Sequence, residues 1–312
     1  MKDGRTTLRV NGDGTLLPFL LEKMGMSRTS LKSLLAHDCV LVNDRAERRF
    51  DCALKAGDVV SVLKNAPRQA TFSHPKLRLV YEDDYLLVVD KREGLLTVAT
   101  TPESRETTVF SILKSYVRAN NPRQGVFVVH RLDRETSGLL VFAKNADIQK
   151  FMRENWRTIV QNRAYMALVE GELEKDEDTI VSWLTENPKT TRVRSSWHDD
   201  GGKKSITHYR KRGSNGRCSL VELHLETGRT NQIRVQMAAI GHPVLGDRKY
   251  GSGSSPIIDR LALHASTLEF THPVTQKLMR FESKCPFSQL GMRSFLIDNL
   301  AVRQAHRPQS EI

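Results

Sequence analysis

Residues 126–144, VFVVHRLDRETSGLLVFAK, decide how the chain is read. Two apolar runs, 126–129 and 139–143, have the length, β-branching and aromatic content of buried strands, and a charged turn ending at Gly138 separates them. The turn carries His130, Arg131, Asp133, Arg134, Glu135, Thr136 and Ser137. Two arginines flank Asp133 in sequence, and nearby positive charge favours the ionised form of a carboxylate. An ionised carboxylate held where two strands meet is a candidate nucleophile. The same residue types also describe a structural ion pair at a strand end, and residue type alone does not separate the two.

Size and charge set the frame around that stretch. A chain of 312 residues is long enough for two domains with a sizeable core in at least one. Its net charge of +12 favours a polyanionic partner, because phosphate neutralisation by Lys and Arg supplies most non-specific nucleic-acid affinity. Both main segments share the excess, which argues against a basic tail grafted onto a neutral enzyme. No apolar run approaches the roughly 20 residues of a membrane span, and the start MKDGRTTLRV has no apolar signal core, so a cytoplasmic protein without a membrane partner is expected. Cys39, Cys52, Cys218 and Cys285 are scattered with no CxxC pair; reduced, mostly buried thiols are expected, with neither a zinc site nor a disulfide framework.

Residues 1–64 read as a small self-contained domain. Leu16, Leu17, Phe19, Leu20 and Met24 form an apolar helical face, and Ser27 can cap a second helix whose Leu31, Leu34 and Leu35 point inward. Arg28 and Lys32 are four apart on the outer face of that helix. A short strand at 40–42, a turn at Asn43 and Asp44, and a closing strand at 59–63 follow. This order resembles the small RNA-binding domain named after the ribosomal S-four protein.

Residues 65–76, NAPRQATFSHPK, carry two prolines without periodicity and read as a linker. The body, 77–290, opens with two strand-like runs around Glu82-Asp83-Asp84, and a helix over 108–119 uses Val109, Ile112, Leu113 and Tyr116 as its inner face. After the central stretch, 147–160 reads as helix and NRAYMALVEGEL as a strand carrying Tyr165, a residue type usually half-buried in such a setting. Residues 172–204 swing from acidic to basic and read as a variable excursion with at most a short strand at 180–184; its Trp183 and Trp197 read as packing. Strands at 205–211 and 218–226 resume the sheet. In 225–251, LETGRTNQIRVQMAAIGHPVLGDRKYG, Gly228 breaks the strand and Thr230 caps a helix with Ile233, Met237 and Ile240 as its apolar stripe. Arg229 and Arg234 then stand at or near a helix N-terminus, where anions bind. The turn 247–250 touches phosphate or caps a strand. A further pair spans 261–270 and 278–283, and a frayed tail is expected over 291–312.

Three of these stretches resemble one family. HRLDRETSG at 130–138 resembles the signature of the RluA-type pseudouridine synthases. RAYMALVEG at 163–171 is similar to their R-x-Y-x-A-x-V-x-G strand, and TGRTNQIR at 227–234 to their TGRTHQIR segment. The resemblance runs from about residue 77 to about 287 and implies an α+β fold: a mixed, mainly antiparallel bent sheet with flanking helices, beside the small N-terminal α/β RNA-binding domain. It implies isomerisation of a uridine within RNA, the base being detached from ribose at nitrogen one, turned, and rejoined through carbon five, with no metal or organic cofactor. It implies Asp133 as the catalytic residue, Arg234 as its ion-pair partner, and Tyr165 stacking on the extracted base or handling the proton leaving carbon five. His130, Arg131, Arg134, Thr136, Arg229, Asn231 and Gln232 become candidate RNA contacts, joined by Arg28 and Lys32 of the first domain. Two departures stand out: Lys91-Arg92 where the family has Lys-Pro, and Asn231 where it has histidine, which removes any titrating group from that position.

The implied partner is RNA, handled by a monomer. Ribosomal large-subunit RNA is favoured, because an N-terminal module of this type accompanies family members that act on it, and transfer RNA is the alternative. Two other classes compete. A non-catalytic RNA-binding protein would share the charge and the first module; a glycosidic-bond hydrolase would pair Asp133 with a second carboxylate, Glu135.

Overall fold

The structure, a computed structural model, describes residues 5–36, 38–63, 71–99, 101, 103–253 and 255–287. The expected linker falls partly, and the expected tail wholly, outside the described residues. The chain forms two compact units: the first is built from the described residues up to 71 with Tyr116–Gln124, and the second from Phe72–Ser115 and the chain from Gly125 onward.

In the first unit the order is β1 (Arg5–Arg9), β2 (Gly14–Thr15), α1 (Leu16–Met24), α2 (Arg28–Ala36), β3 (Val40–Val42), β4 (Arg45–Ala46), β5 (Ala53–Leu54) and β6 (Val59–Leu63). The i, i+4 pair Leu16 and Leu20 on α1, with Leu17, and the i, i+4 pair Leu31 and Leu35 on α2 bury against Val40, Val60 and Val62 of the sheet. Ser27 caps α2 as expected, its Oγ accepting the Ser30 N–H at 3.1 Å. Asn43 and Asp44 take left-handed φ values of 51° and 64°, the conformation a two-residue hairpin between β3 and β4 demands and one these residue types tolerate. The sheet order β1-β6-β3-β4 includes a strand the sequence reading passed over: β1 is RTTLR, mostly exposed, with no apolar alternation to announce it.

From Leu77 onward the order is β7 (Leu77–Glu82), β8 (Leu86–Lys91), α3 (Val109–Asn120), β9 (Phe127–Val128), β10 (Ser137–Ala143), α4 (Ala146–Glu154), α5 (Trp156–Ile159), β11 (Val160–Glu170), β12 (Glu177–Glu186), β13 (Val193–Ser196), β14 (Lys203–Ser214), β15 (Cys218–Leu225), α6 (Gln232–Ala239), β16 (Leu263–Thr271) and β17 (Leu278–Glu282), all in the second unit except the part of α3 from Tyr116. Eleven strands form one sheet in the order β13-β12-β14-β15-β11-β16-β10-β8-β7, with β17 on β16 and β9 on β10. The β10–β16 pairing is parallel and the others are antiparallel, the mixed, mainly antiparallel α+β sheet expected.

Every residue of β10 is buried, which is why SGLLVFA reads as an unbroken apolar run and does not alternate. Gly138 opens this strand at φ +114°, and a Cβ there would lie 2.2 Å from the Ala265 carbonyl oxygen of the parallel neighbour. Only glycine fits, so the turn bearing Asp133 is delivered into the sheet at one fixed point.

Two expectations are corrected. The stretch 172–204 is no loose excursion: β12 is ten residues long, pairs with β14 over eight positions, and carries β13 as a sheet edge. Its alternation was hidden because the inward face includes Ser182 while Val181 and Trp183 lie on the other face. The helix at 147–160 is also two helices, because the chain stops at Asn155 before restarting as α5. Among the described residues no helix is long and apolar enough to cross a membrane.

Candidate active site

Asp133 sits on the loop between β9 and β10, and the backbone on either side of it is pinned. Thr97, 1% exposed, donates its hydroxyl to the Leu132 carbonyl at 2.7 Å and accepts the Leu132 N–H at 3.2 Å. One residue after the aspartate, the Arg134 carbonyl accepts from Lys91 Nζ and from the Gly94 N–H, each at 2.9 Å. The segment that follows β8 therefore clamps the turn at both flanks, leaving the Asp133 side chain 26% exposed. Lys91 itself is 1% exposed, and burial pushes its pKa down to about 7 against the opposing charges of Glu135, Asp133 and Glu93.

Arg234, on the first turns of α6, provides the guanidinium. Its Nη1 donates to Asp133 Oδ2 at 3.3 Å and to Asn231 Oδ1 at 3.1 Å, while Nε and Nη2 grip Asp247 at 2.7 and 2.8 Å. The two carboxylates differ sharply in setting. Asp247 is fully buried and its Oδ1 also accepts the Lys249 and Tyr250 backbone N–H groups, whereas Asp133 faces the open side. Burial raises the Asp247 pKa, but the Arg234 hydrogen bond and charge with the two N–H groups outweigh it and hold the carboxyl below its ordinary value. Burial likewise works against Arg234, and Asp247, then Asp133, override it and raise its pKa. The guanidinium is thus a fixed charge with one of its faces turned to Asp133.

Tyr165 lies on β11 opposite Leu223 and Ala265, 9% exposed. Burial raises the pKa of its phenol, Arg163 lowers it, and the Asp133 charge, close enough to be felt, raises it further. Arg163 donates to the Leu225 carbonyl at 3.1 Å, and a Cβ on Gly228 would sit 2.9 Å from its Nη1, so the glycine lets the start of the TGR segment close over β11. Tyr165, Asp133 and Arg234 come from three separated stretches of chain.

The remaining candidates divide. His130 is held by the protein: its Nε2 accepts the Val141 N–H at 3.1 Å, its ring packs on Trp156 at 4.9 Å, and burial pushes its pKa down to about 3, so it is a neutral brace. Thr136 is 2% exposed and turned inward. Gln232 uses its whole amide internally, accepting from Thr227 Oγ1 and the Arg229 N–H and donating to Ile206 O and Thr207 Oγ1. Arg134 does not flank the Asp133 carboxylate as the sequence order suggests; it holds Glu106 through two contacts of 2.9 and 3.0 Å. Asn231 is occupied by Arg234 and Tyr250, and it enters α6 at φ 53° without capping it, so the Thr230 cap is also corrected. Arg131 is exposed, and Arg229 has a buried Nε without a hydrogen-bond partner among the described residues. In the first unit Arg28 and Lys32 are exposed, with Lys32 Nζ 5.2 Å from the ring centre of the half-exposed Phe50.

Asp247, Lys91 and Thr97 are the residues that sequence reasoning missed. Lys91 had one signal, a charge that follows Asp90 at the end of the apolar run LLVV. Among the described residues no group of three His, Cys, Asp or Glu side chains is arranged to hold a metal. A cavity of about 530 Å³ lined by Trp197, Tyr209 and His242 lies on β12 and β14, and none of Asp133, Tyr165 or Arg234 lines it.

This geometry meets its relatives directly. Residues 85–239 match the family model described as RNA pseudouridylate synthase. The Bacillus subtilis (strain 168) protein named uncharacterized RNA pseudouridine synthase YhcT is 33% identical over 278 residues, spanning 87% of this chain and 89% of its own. The chain belongs to the RNA pseudouridylate synthase family. A Zymomonas mobilis relative, ribosomal large subunit pseudouridine synthase D, is 34% identical over 297 residues and spans 88% of this chain and 91% of its own. The solved structure of human RNA pseudouridylate synthase domain containing 1 matches with a TM-score of 0.56 at 25% identity, over 77% of this chain and 99% of that one. Human domain containing 4, at 20% identity and a TM-score of 0.57 over 70% and 92% of the chains, shares the fold. The synthase is thus an RNA-modifying isomerase of the RluA type.

Proposed function

We propose that this synthase converts uridine to pseudouridine in ribosomal large-subunit RNA, with Asp133 as the essential catalytic residue. One observation carries the assignment of Asp133: a single guanidinium holds two carboxylates, one wholly buried and saturated with donors, the other 26% exposed and bonded only at one oxygen by Arg234. The buried one anchors; the exposed one is reachable by a nucleotide. Arg234 keeps Asp133 oriented through its Nη1–H bond to Oδ2 at 3.3 Å.

The reaction balances within the substrate. The ribose carbon-one bond to nitrogen one breaks, a bond from the same carbon to carbon five forms, carbon five loses its proton, and nitrogen one gains one. Asp133 starts bond cleavage, and Tyr165 stacks on the released base or takes the carbon-five proton to its acceptor. The target uridine must first leave its stack at a cost of a few kcal/mol, which backbone contacts from Arg131, Arg229 and the exposed Arg28 and Lys32 offset. Single-stranded or looped RNA suits this, because an A-form duplex hides its base edges. We read the first unit as the RNA-binding domain that selects the target and place the reaction in the cytoplasm.

The ribosomal assignment leans on relatives named for the large subunit in Zymomonas mobilis and Nitrosomonas europaea. Pseudouridine mapping in RNA from cells with and without the gene tests it. Loss of one or a few large-subunit positions is expected; loss confined to transfer RNA would replace the ribosomal reading. Release of free uracil by the purified protein would instead favour the hydrolase.

A further inference from the structure

Tyr250 has no part in the assignments above, yet it touches the machinery that faces Asp133. Its hydroxyl accepts the Asn231 Nδ2–H at 3.1 Å and the Val193 backbone N–H of β13 at 3.0 Å. The other end of the same amide, Asn231 Oδ1, accepts from Arg234 Nη1 at 3.1 Å, and that nitrogen is the one that reaches Asp133 Oδ2 at 3.3 Å. The Tyr250 ring carries three cations, Arg234 at 5.3 Å, Arg192 at 5.5 Å and Lys249 at 5.6 Å from its centre.

An asparagine amide has two chemically opposite ends and can turn over. With its oxygen toward Arg234 it accepts; turned over, its NH₂ would face guanidinium N–H, donor against donor. Arg234, which can only donate, selects the first arrangement, and the Tyr250 hydroxyl, itself tied to the Val193 N–H, holds the nitrogen end of the amide in place. Asn231 also sits at φ 53°, a backbone conformation that asparagine tolerates better than most residues, so its side chain leaves the chain at a fixed point. Val193 packs with Val235 of α6, Leu184 and Tyr250, which ties the β12–β13 hairpin to the same contact.

We propose that Tyr250 is a positioning residue for the reaction: its hydroxyl holds the Asn231 side chain against Arg234 and so fixes the guanidinium nitrogen presented to Asp133. The inference rests on the catalytic reading of Asp133.

The test is a pair of backgrounds. Tyr250→Phe removes the hydroxyl and keeps the ring under its cations. Single-turnover rates on RNA from cells lacking the gene, and RNA affinity, are measured for Tyr250→Phe in the native chain and in Asn231→Gly, which accepts the positive φ and leaves the hydroxyl no amide to hold. A fall of about tenfold in rate, with affinity within twofold, is expected in the native chain, equivalent to about 1.4 kcal/mol. Little further fall is expected in the Asn231→Gly background. Equal losses in both backgrounds would mean that Tyr250 merely holds the hairpin, and no loss in the native chain would also overturn the proposal. Asp133→Asn is run alongside: its inactivity beside either of those results overturns the positioning role alone, whereas an active Asp133→Asn enzyme overturns the catalytic reading and this one with it.

Discussion

Asp247→Asn isolates the anchor of Arg234 without changing its shape. In the native structure Asp247 Oδ1 accepts Arg234 Nη2 and two backbone N–H groups, and Oδ2 accepts Arg234 Nε at 2.7 Å. The asparagine keeps the busier oxygen and places NH₂ against the Nε–H, losing one charge-assisted bond worth about 1.5–3 kcal/mol and setting donor against donor. Because Asp247 is fully buried and Arg234 only 11% exposed, solvent does not repair the loss, and breaking a buried pair costs about 3–5 kcal/mol. With about 3 kcal/mol as the working figure, and about 2–4 °C per kcal/mol for a domain of this size, the melting temperature should drop by about 6–12 °C. The effect has a pH signature. A carboxyl held below its ordinary pKa stabilises the fold above the unfolded value near ~4, and that stabilisation is lost as pH falls through the folded value. Calorimetry should therefore show the full gap between native and variant at pH 7 and a shrinking gap below about pH 4. A variant that melts within 2 °C of the native protein at pH 7, roughly a kcal/mol or less, would refute the idea that Asp247 holds Arg234.

Three further outcomes follow from the same structure. Lys91, with its pKa near 7 when folded and about 10.4 unfolded, binds fewer protons in the folded state between those values, so native stability should rise with pH across that window by up to about 1.4 kcal/mol per unit. Lys91→Met should lack this rise in denaturant melts at pH 7, 8 and 9, and parallel curves would contradict the burial argument. Gly138→Ala places a Cβ 2.2 Å from the Ala265 backbone oxygen, where neither strand has a flexible end to give, and should cost more than about 3 kcal/mol in urea unfolding; a cost below about 1 kcal/mol would mean that the β10–β16 contact is looser than it looks. Arg28→Glu with Lys32→Glu should weaken RNA binding and flatten the dependence of log affinity on log salt by about 1.5, as expected when two phosphate contacts go; an unchanged slope would remove that helix face from the RNA path.

How much of this was legible in sequence depends on how local each signal is. The helices of the first unit were readable because Leu16, Leu17, Leu20, Leu31 and Leu35 repeat at helical spacing and Ser27 marks a start. The β9-turn-β10 unit was readable because its strand is buried on both faces. The strand at 177–186 was not, since its inward residues Ile180, Ser182 and Leu184 include a serine that a distant glutamine, Gln236, satisfies through a bond no local pattern announces. The same limit governs the site. Asp133, Tyr165 and Arg234 each lie in a motif, but what surrounds them comes from far away: Thr97 is 35 residues from the Leu132 it clamps, Lys91 is 43 from Arg134, and Arg234 is 101 from Asp133. Local order even misled, for Arg134 is adjacent to Asp133 in sequence and spends its charge on Glu106. His130 and Gln232 sit inside the motifs as braces, a role that motif membership alone does not separate from binding.

The central claim is that one exposed carboxyl, on a loop clamped by Thr97 and Lys91, carries the chemistry. It is tested most directly with RNA from cells lacking the gene, labelled with tritium at carbon five of uridine, because joining that carbon to ribose must expel its hydrogen. The native protein should release tritium to water, and Asp133→Asn should bind the same RNA with affinity within a few-fold while releasing label more than about a thousandfold more slowly, a loss of about 4 kcal/mol in the transition state. Tritium release by Asp133→Asn at near the native rate would contradict the account.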